Sequence, residues 1–265
     1  MSDKGFIASV GFAADVPLCV TLKGDLAQRW DVRNKSLLGE VELFRAIPPE
    51  KIKFDWQRPK VVLGSDGRSA LYALPGEGAL RVLDFVASQE MIVPLPGVPP
   101  IWAVAWDTDR GLAFLGCGDA TVRLWDLGMQ GNPRELHVSG GLDDVPRQVT
   151  LSADGRRALV IHRDGSLQVW DVPRWELFRR MGAGRQRPRA ALSPDGERLV
   201  AVADRGTVVL WDVESGTPLR HFLNHRCIAL LGVRFHPEAV AVSPDGKRAA
   251  TLCTDGSVRV WDLDN

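Results

Sequence analysis

The side chains that could carry catalysis are scattered along this sequence. The five histidines are scattered over separate repeat units and form no HExxH pair. His162 stands two residues before Asp164, a pairing that could orient a general base. No GxSxG, Walker-type or GxGxxG segment is present, and the Asp-Gly pairs lack the alternating acidic ligands of a calcium loop. The sequence therefore predicts no catalytic residue, no metal site and no cofactor.

Arginine offers the clearest binding chemistry. Several arginines cluster in the segment 178–189, and the planar guanidinium group suits carboxylates and phosphates. The residues predicted to bind a partner are Arg163, Arg185, Arg187, Arg189, Arg205 and Arg226, with Trp56 and Trp102 as aromatic anchors. Two alternatives stay open: a solvated arginine-rich surface without a ligand, and a Trp102 that packs inside the protein.

Trp-Asp pairs recur along the chain and indicate the elements that would position these residues. Each pair ends a short run of strand-forming residues, and a Leu-Asp pair takes the second place. Successive pairs are 41–53 residues apart, and they are Trp30-Asp31, Leu83-Asp84, Trp125-Asp126, Trp170-Asp171, Trp211-Asp212 and Trp261-Asp262. A repeat of this length is typical of a β-propeller blade with four antiparallel strands.

A turn aspartate precedes the end of each unit by a nearly constant 15–17 residues. In most units the turn contains Asp-Gly, as in Asp195-Gly196, which favours a hairpin because glycine accepts a positive φ angle. Constant strand lengths are what packed blades require, since a one-residue slip would move every side chain to the wrong face. The sequence predicts an all-β fold in one domain over residues 1–265, with units ending near residues 31, 84, 126, 171, 212 and 262.

The segments Ser193-Pro-Asp-Gly, Ser243-Pro-Asp-Gly, Thr121–Asp126 and Ser257–Asp262 resemble the WD40 repeat family. This resemblance implies a six-bladed β-propeller. Two long linkers, Val32–Ser65 and Val213–Pro244, leave room for a seventh blade. The resemblance to the WD40 family also implies a hydrogen-bonded tetrad in each blade. One member of the tetrad is a turn aspartate six residues before the tryptophan. The sequence keeps that aspartate as Asp119, Asp164 and Asp255.

The remaining tetrad positions depart from the family. The position expected to hold Ser or Thr contains Cys117, His162 and Cys253. His162 is therefore interpreted as a structural replacement rather than as a base. The terminal tryptophans Trp30, Trp125, Trp170, Trp211 and Trp261 are predicted to be structural, filling the gaps between blades.

Composition limits the other possibilities. Thirty-three basic and thirty-three acidic residues cancel, which argues against a protein that coats a polyanion. No signal peptide or long apolar run is visible, so a cytoplasmic location without membrane contact is expected. Cys19, Cys117 and Cys253 lie in apolar runs and are expected to be reduced, buried thiols.

Together these patterns predict a non-catalytic protein-interaction scaffold, a subunit of a larger complex. In the repeat geometry the predicted arginines would converge on one side of the top face and attract an acidic partner. A nucleic-acid accessory subunit is the first alternative, and a propeller hydrolase is the second. The last unit lacks an outer strand, so either Lys4–Ile7 or a partner's strand would have to complete it.

Overall fold

The computed structural model describes residues 7–12, 18–23, 26–42, 60–64, 66–73, 78–127, 134–139, 144–182, 189–202, 207–222, 237–253 and 257–264. Over these ranges the chain forms β-strands and turns and no helix. The prediction of an all-β fold is confirmed. The chain divides into two compact units, Met1–Arg147 and Gln148–Asn265. The single domain over residues 1–265 stays a prediction.

The first unit contains three four-stranded sheets. The first sheet consists of β1 (Ile7–Phe12), β2 (Leu18–Lys23), β3 (Leu26–Asp31) and β4 (Ser36–Glu42). The second consists of β5 (Lys60–Leu63), β6 (Ser69–Ala73), β7 (Ala79–Asp84) and β8 (Gln89–Pro94). The third consists of β9 (Ile101–Asp107), β10 (Leu112–Cys117), β11 (Val122–Asp126) and β12 (Arg134–Ser139).

The second unit continues the pattern, and the boundary between the units falls within β13. One sheet consists of β13 (Pro146–Leu151), β14 (Arg157–His162), β15 (Ser166–Asp171) and β16 (Glu176–Gly182). The next consists of β17 (Arg189–Leu192), β18 (Arg198–Val202), β19 (Val208–Asp212) and β20 (Pro218–Phe222). The last described sheet has three strands, β21 (Pro237–Val242), β22 (Arg248–Cys253) and β23 (Val258–Asp262).

Each sheet is an antiparallel meander in which strands follow their order along the chain. Every third strand ends at the aspartate of a Trp-Asp or Leu-Asp pair. That aspartate caps the following turn by accepting backbone N–H bonds. Asp212, for example, accepts from the Ser215 amide at 2.6 Å, and Asp171 accepts from the Arg174 amide at 3.0 Å.

The turn between the first and second strands of a sheet is stabilised by a serine, an aspartate and a glycine, as its sequence predicts. In the turn after β13, Ser152 Oγ donates to Asp154 at 2.6 Å and accepts from the Arg157 amide at 3.0 Å. Gly155 takes a φ of 67°, a left-handed conformation that side chains disfavour. The same serine, aspartate and glycine roles recur in the turns after β17 and β21. These turns hold the first two strands in register.

Neighbouring sheets within each unit pack through apolar clusters. In the first unit, Leu71 and Leu80 of the second sheet meet Leu115 and Trp125 of the third. In the second unit, Ile161 and Leu167 meet Ala190 and Leu199 across the next pair of sheets. These middle strands are buried on both faces, which explains their continuous apolar runs. The number of propeller blades, six or seven, and the closing of a ring stay predictions.

The cysteines only partly follow expectation. Cys19 and Cys117 are free, and burial raises the pKa of the Cys117 thiol to about 12. Cys253 is buried but disulfide-bonded, so the prediction of a reduced thiol there was wrong. Its partner lies outside the described residues. A disulfide joins residues distant in sequence, so spacing alone gave no signal of it.

Candidate partner-binding site

The predicted arginine surface is described only in part. Arg163 and Arg189 lie in the described ranges, whereas Arg185, Arg187, Arg205, Arg226 and the aromatic Trp56 lie outside them. Arg163 is exposed in the turn between β14 and β15. Arg189 begins β17 and is half-buried, and its Nε is buried without a hydrogen-bond partner.

Strand register places these two arginines at the ends of neighbouring sheets. Arg189 stands opposite Val202, the last residue of β18. Arg163 lies in the turn that follows β14, the second strand of the preceding sheet. These two sheets pack through Ile161 and Ala190, each within two residues of one of these arginines. The turn side of this unit therefore presents positive charge from both sheets.

Trp102 lies in β9 and is half-buried. Its indole ring covers Gly118, where an added Cβ would approach within 3.2 Å of the ring. The Gly118 amide also donates to the Pro100 carbonyl at 2.8 Å. The contact with Gly118 gives Trp102 a packing role and leaves only part of its surface to a partner.

His162 and Asp164 do not form a base. His162 is fully buried at the end of β14, and the Asp164 carboxylate accepts from the Ser166 amide at 2.8 Å and its hydroxyl at 2.7 Å. Burial alone would raise the pKa of Asp164, but these hydrogen bonds and the nearby His162 outweigh it and lower that pKa. Asp119 accepts comparable bonds from Thr121, and Asp255 lies outside the described ranges. Across the part of the chain that is described, no cluster of three metal-binding side chains occurs.

The terminal tryptophans differ in their hydrogen bonding. Trp30 Nε1 donates to Thr21 at 3.1 Å, and Trp261 Nε1 donates to Thr251 at 2.9 Å. Neither bond was predicted from the sequence. The family resemblance places the acceptor two residues nearer to the tryptophan, for example at Cys253 instead of Thr251 for Trp261. In each case the threonine lies on the second strand, two residues beyond the tryptophan's cross-strand partner.

The residue at this same position of the second strand explains why other terminal tryptophans lack a threonine acceptor. It is occupied by Leu115 near Trp125 and by Ala201 near Trp211, and the buried Nε1 atoms of these two tryptophans have no partner. Trp170 uses Gln168 Oε1 instead, at 3.2 Å. The tetrad is therefore replaced by a single tryptophan–threonine bond in two sheets and by packing in others.

Several arginines connect neighbouring sheets through a hydrogen bond or an ion pair. Arg29 Nη1 donates to the Gly67 carbonyl at 3.1 Å, and Arg179 Nε donates to the Glu214 carbonyl at 2.9 Å. Arg198 pairs with Asp264 at 2.7 Å. These arginines therefore stabilise the packing of neighbouring sheets.

The apolar face of β23 is the most distinctive surface. In the other five sheets a fourth strand pairs with the third, whereas the last sheet has three described strands. Val258 and Val260 are 62% and 66% exposed, whereas the equivalent Val122 and Leu124 of β11 are 0% and 5% exposed. Trp261 packs on the other face, against Phe222. β23 therefore exposes apolar side chains that the equivalent strand of another sheet buries.

Two third strands carry an arginine that pairs with a glutamate of the fourth strand. Arg81 of β7 lies 3.0 Å from Glu90 of β8, and both side chains are almost fully buried. The Tyr72 hydroxyl also donates to Glu90, and burial together with Glu90 raises the pKa of Tyr72. In the third sheet, Arg123 of β11 lies 2.9 Å from Glu135 of β12. These pairs were not predicted from the sequence, although the arginine two residues before Leu83 and before Trp125 was a visible signal.

The described residues contain no helix that is long and apolar enough to cross a membrane. The family model of the WD domain, G-beta repeat (WD40) matches residues 95–126 and 216–262. The first match covers β9 to β11, and the second covers β20 to β23. No curated protein matches the chain.

Proposed function

We propose, from the premise that this chain belongs to the WD40-repeat family, that it is a non-catalytic interaction scaffold within a larger protein complex. WD40 repeats generally form platforms for protein partners. Under this proposal the six sheets are the blades of one propeller. The observation that carries the proposal is the exposed apolar face of β23, where Val258 and Val260 are 62% and 66% exposed.

β23 is proposed as the docking strand for an extended segment of a partner. The exposed Val258 and Val260 add apolar surface that an added chain can cover. These features together distinguish β23 from the described third strands of the other sheets.

The arginine surface provides a second contact under the same proposal. Arg163 is exposed and Arg189 has an unpartnered nitrogen at the turn side of the second unit. Positive charge there attracts an acidic segment and accelerates its association. A nucleic acid would use the same charge, but no exposed run of stacking aromatics among the described residues favours it.

A cytoplasmic location belongs to this proposal as well. The disulfide at Cys253 argues the other way, because disulfides persist mainly in oxidising compartments. Counting free thiols in protein isolated from the native host under alkylating conditions distinguishes the two. A cytoplasmic protein should carry Cys253 as a thiol.

The scaffold is tested by capture from the native host, followed by purification of the captured protein. The edge variant Val258→Lys/Val260→Lys places charges on the exposed face of β23, which disfavours the docking of an extended segment. The matched control is Leu219→Lys, because Leu219 is also exposed on an outer strand of the same unit. Wild type and control should bind the purified protein equally, and the edge variant should bind at least tenfold more weakly.

Amide exchange locates the contact. Addition of the purified partner should slow exchange in residues 258–262 of the wild-type chain and leave β20 unchanged. A partner that binds the edge variant at wild-type strength, without slowing exchange in β23, would contradict the proposal.

A further inference from the structure

We propose that Arg220 of β20 and Arg259 of β23 form a binding site for a carboxylate group, which an acidic side chain of a protein partner supplies. This inference rests on the proposed function, because it names the chemistry by which a partner is held. The site lies in the seam between the last two sheets, which is the packed surface that includes Leu210, Ala249 and Trp261. Both sheets belong to the second compact unit.

The two arginines face this seam from opposite sheets. Arg220 stands opposite Leu210 in the cross-strand register, so both side chains leave the same face of their sheet. Leu210 packs in the cluster that contains Ala249 and Trp261 of the last sheet. Arg259 and Trp261 are two residues apart on β23 and therefore also leave one face of that strand.

Two aromatic rings connect the arginines. The guanidinium carbon of Arg220 lies 5.8 Å from the centroid of the Phe222 ring, and that centroid lies 5.3 Å from the centroid of Trp261. Trp261 Nε1 donates to Thr251 at 2.9 Å, and Thr251 is the residue opposite Arg259. The indole ring therefore leans toward the row of the sheet that holds Arg259. The two arginines and the two rings form one continuous group of side chains.

Neither arginine side chain is paired. Arg220 and Arg259 are half-buried, and within the described ranges neither side chain forms an ion pair or a hydrogen bond. Arg220 Nη1 is buried without a hydrogen-bond partner. A charged group that is partly removed from water and left unpaired costs free energy, and a carboxylate at its accessible N–H groups recovers part of that cost.

The arginine at the equivalent position of another sheet is paired. Arg123 of β11 takes the place of Arg259, and it lies 2.9 Å from Glu135 and 3.3 Å from Asp119. There the chain itself supplies the carboxylates for a half-buried arginine. Under this proposal, a partner supplies the carboxylate at the seam.

The composition of the seam favours a glutamate side chain as the group that binds. Arginine donates planar pairs of N–H bonds that match a carboxylate. The rings of Phe222 and Trp261 offer apolar surface to the methylene groups of a glutamate side chain. A glutamate supplies both the charge and the methylene groups, and so it matches the site better than a compact inorganic phosphate does.

Labelled peptides and the full chain test this inference. The probe is a fluorescent peptide of alternating glutamate and glycine, and the control peptide has glutamine in place of each glutamate. The protein variants are Arg220→Gln, Arg259→Gln and their combination. Arg156→Gln is the matched control, because Arg156 is exposed in a turn of another sheet. Fluorescence anisotropy gives the affinities, and NMR follows the Nε–Hε resonances of Arg220 and Arg259 in the wild-type chain.

The glutamate peptide should bind wild type and Arg156→Gln with equal affinity, and it should bind each seam variant about tenfold more weakly, as expected for the loss of a charge-assisted hydrogen bond. The combined variant should bind only slightly more weakly than either single variant, because both arginines hold the same carboxylate. The two Nε–Hε resonances should shift together during the titration of wild type. That shift decides the matter even if a variant fails to fold.

Equal affinity of the glutamate and glutamine peptides for wild type, with no shift of either resonance, overturns the inference. Displacement of the glutamate peptide by less inorganic phosphate than glutarate identifies a phosphate site and overturns the carboxylate assignment. A purified partner that binds both seam variants at wild-type strength overturns the inference and leaves the scaffold proposal standing. Capture of no partner from the native host overturns the scaffold proposal, which the peptide titration does not measure.

Discussion

Strands β11 and β23 have almost the same sequence and very different surroundings. The segments are Thr-Val-Arg-Leu-Trp-Asp at 121–126 and Ser-Val-Arg-Val-Trp-Asp at 257–262. Both form the third strand of a sheet with the same pairing to the second strand. Yet Val122 and Leu124 of β11 are buried, its arginine has two carboxylate partners and its outer side is paired. The equivalent Val258 and Val260 of β23 are exposed.

This difference shows which properties a strand carries in its own sequence. Alternation, the Trp-Asp terminus and the turn residues are local, and both segments form the same strand from them. Burial depends on the neighbouring strands and sheets, which the segment itself does not specify.

The largest expected loss of stability comes from replacing the terminal tryptophans of these two strands, Trp125 and Trp261. Trp125→Ala should destabilise the protein by about 3–5 kcal/mol, because it opens a cavity in a fully packed cluster. Trp261→Ala should cost about half as much, since this ring is only partly buried. Urea unfolding followed by tryptophan-independent circular dichroism measures both. Equal losses would show that the two environments are energetically alike.

The second prediction concerns the buried ion pair that β23 lacks. Glu90→Gln should cost about 3 kcal/mol, because it leaves the buried Arg81 charge without its counter-ion. Glu135→Gln should cost about 1 kcal/mol or less, since Glu135 is partly exposed and Arg123 keeps Asp119. Denaturant midpoints at constant pH give the comparison. A smaller loss for Glu90→Gln than for Glu135→Gln would contradict it.

Some features of the fold and of the candidate site could be predicted from the sequence, and others could not. The all-β fold, the repeat and the aspartate and glycine turns depend on residues close together in the chain, so their spacing was sufficient. The Thr251 acceptor, the Arg81–Glu90 pair and the Cys253 disulfide depend on cross-strand or distant contacts. Such contacts require the register of the strands, which residue types alone do not specify.

A third, smaller effect is expected at the tryptophan acceptors. Thr251→Val should cost about 1 kcal/mol, because the indole N–H of Trp261 loses its acceptor while the side-chain volume is kept. Thr21→Val should behave alike through Trp30. Leu115→Val is the control at the same strand position in the β11 sheet, where it removes a methylene group and no hydrogen bond. Thermal unfolding at fixed concentration measures these changes. Unchanged stability of both threonine variants would remove any energetic role from these bonds.

The smallest effect on stability is expected from the arginine surface. Replacing Arg185, Arg187 and Arg205 by glutamate should change the free energy of unfolding by less than about 0.5 kcal/mol, which is what their sequence-based prediction as surface charges requires. Partner binding should fall sharply and lose its dependence on salt concentration. The measurement is an affinity series from low to high salt. A triple variant that keeps wild-type affinity would identify these residues as solvated surface.

The most direct test of the proposed docking strand is amide exchange in β23, compared with β11 in the same sample. Residues 258–262 should exchange much faster than residues 122–126 in the isolated chain, and deletion of residues 1–6 should leave that difference unchanged. Addition of the partner should slow β23 to the rate of β11. Full protection of β23 in the isolated, truncated chain would contradict an open edge.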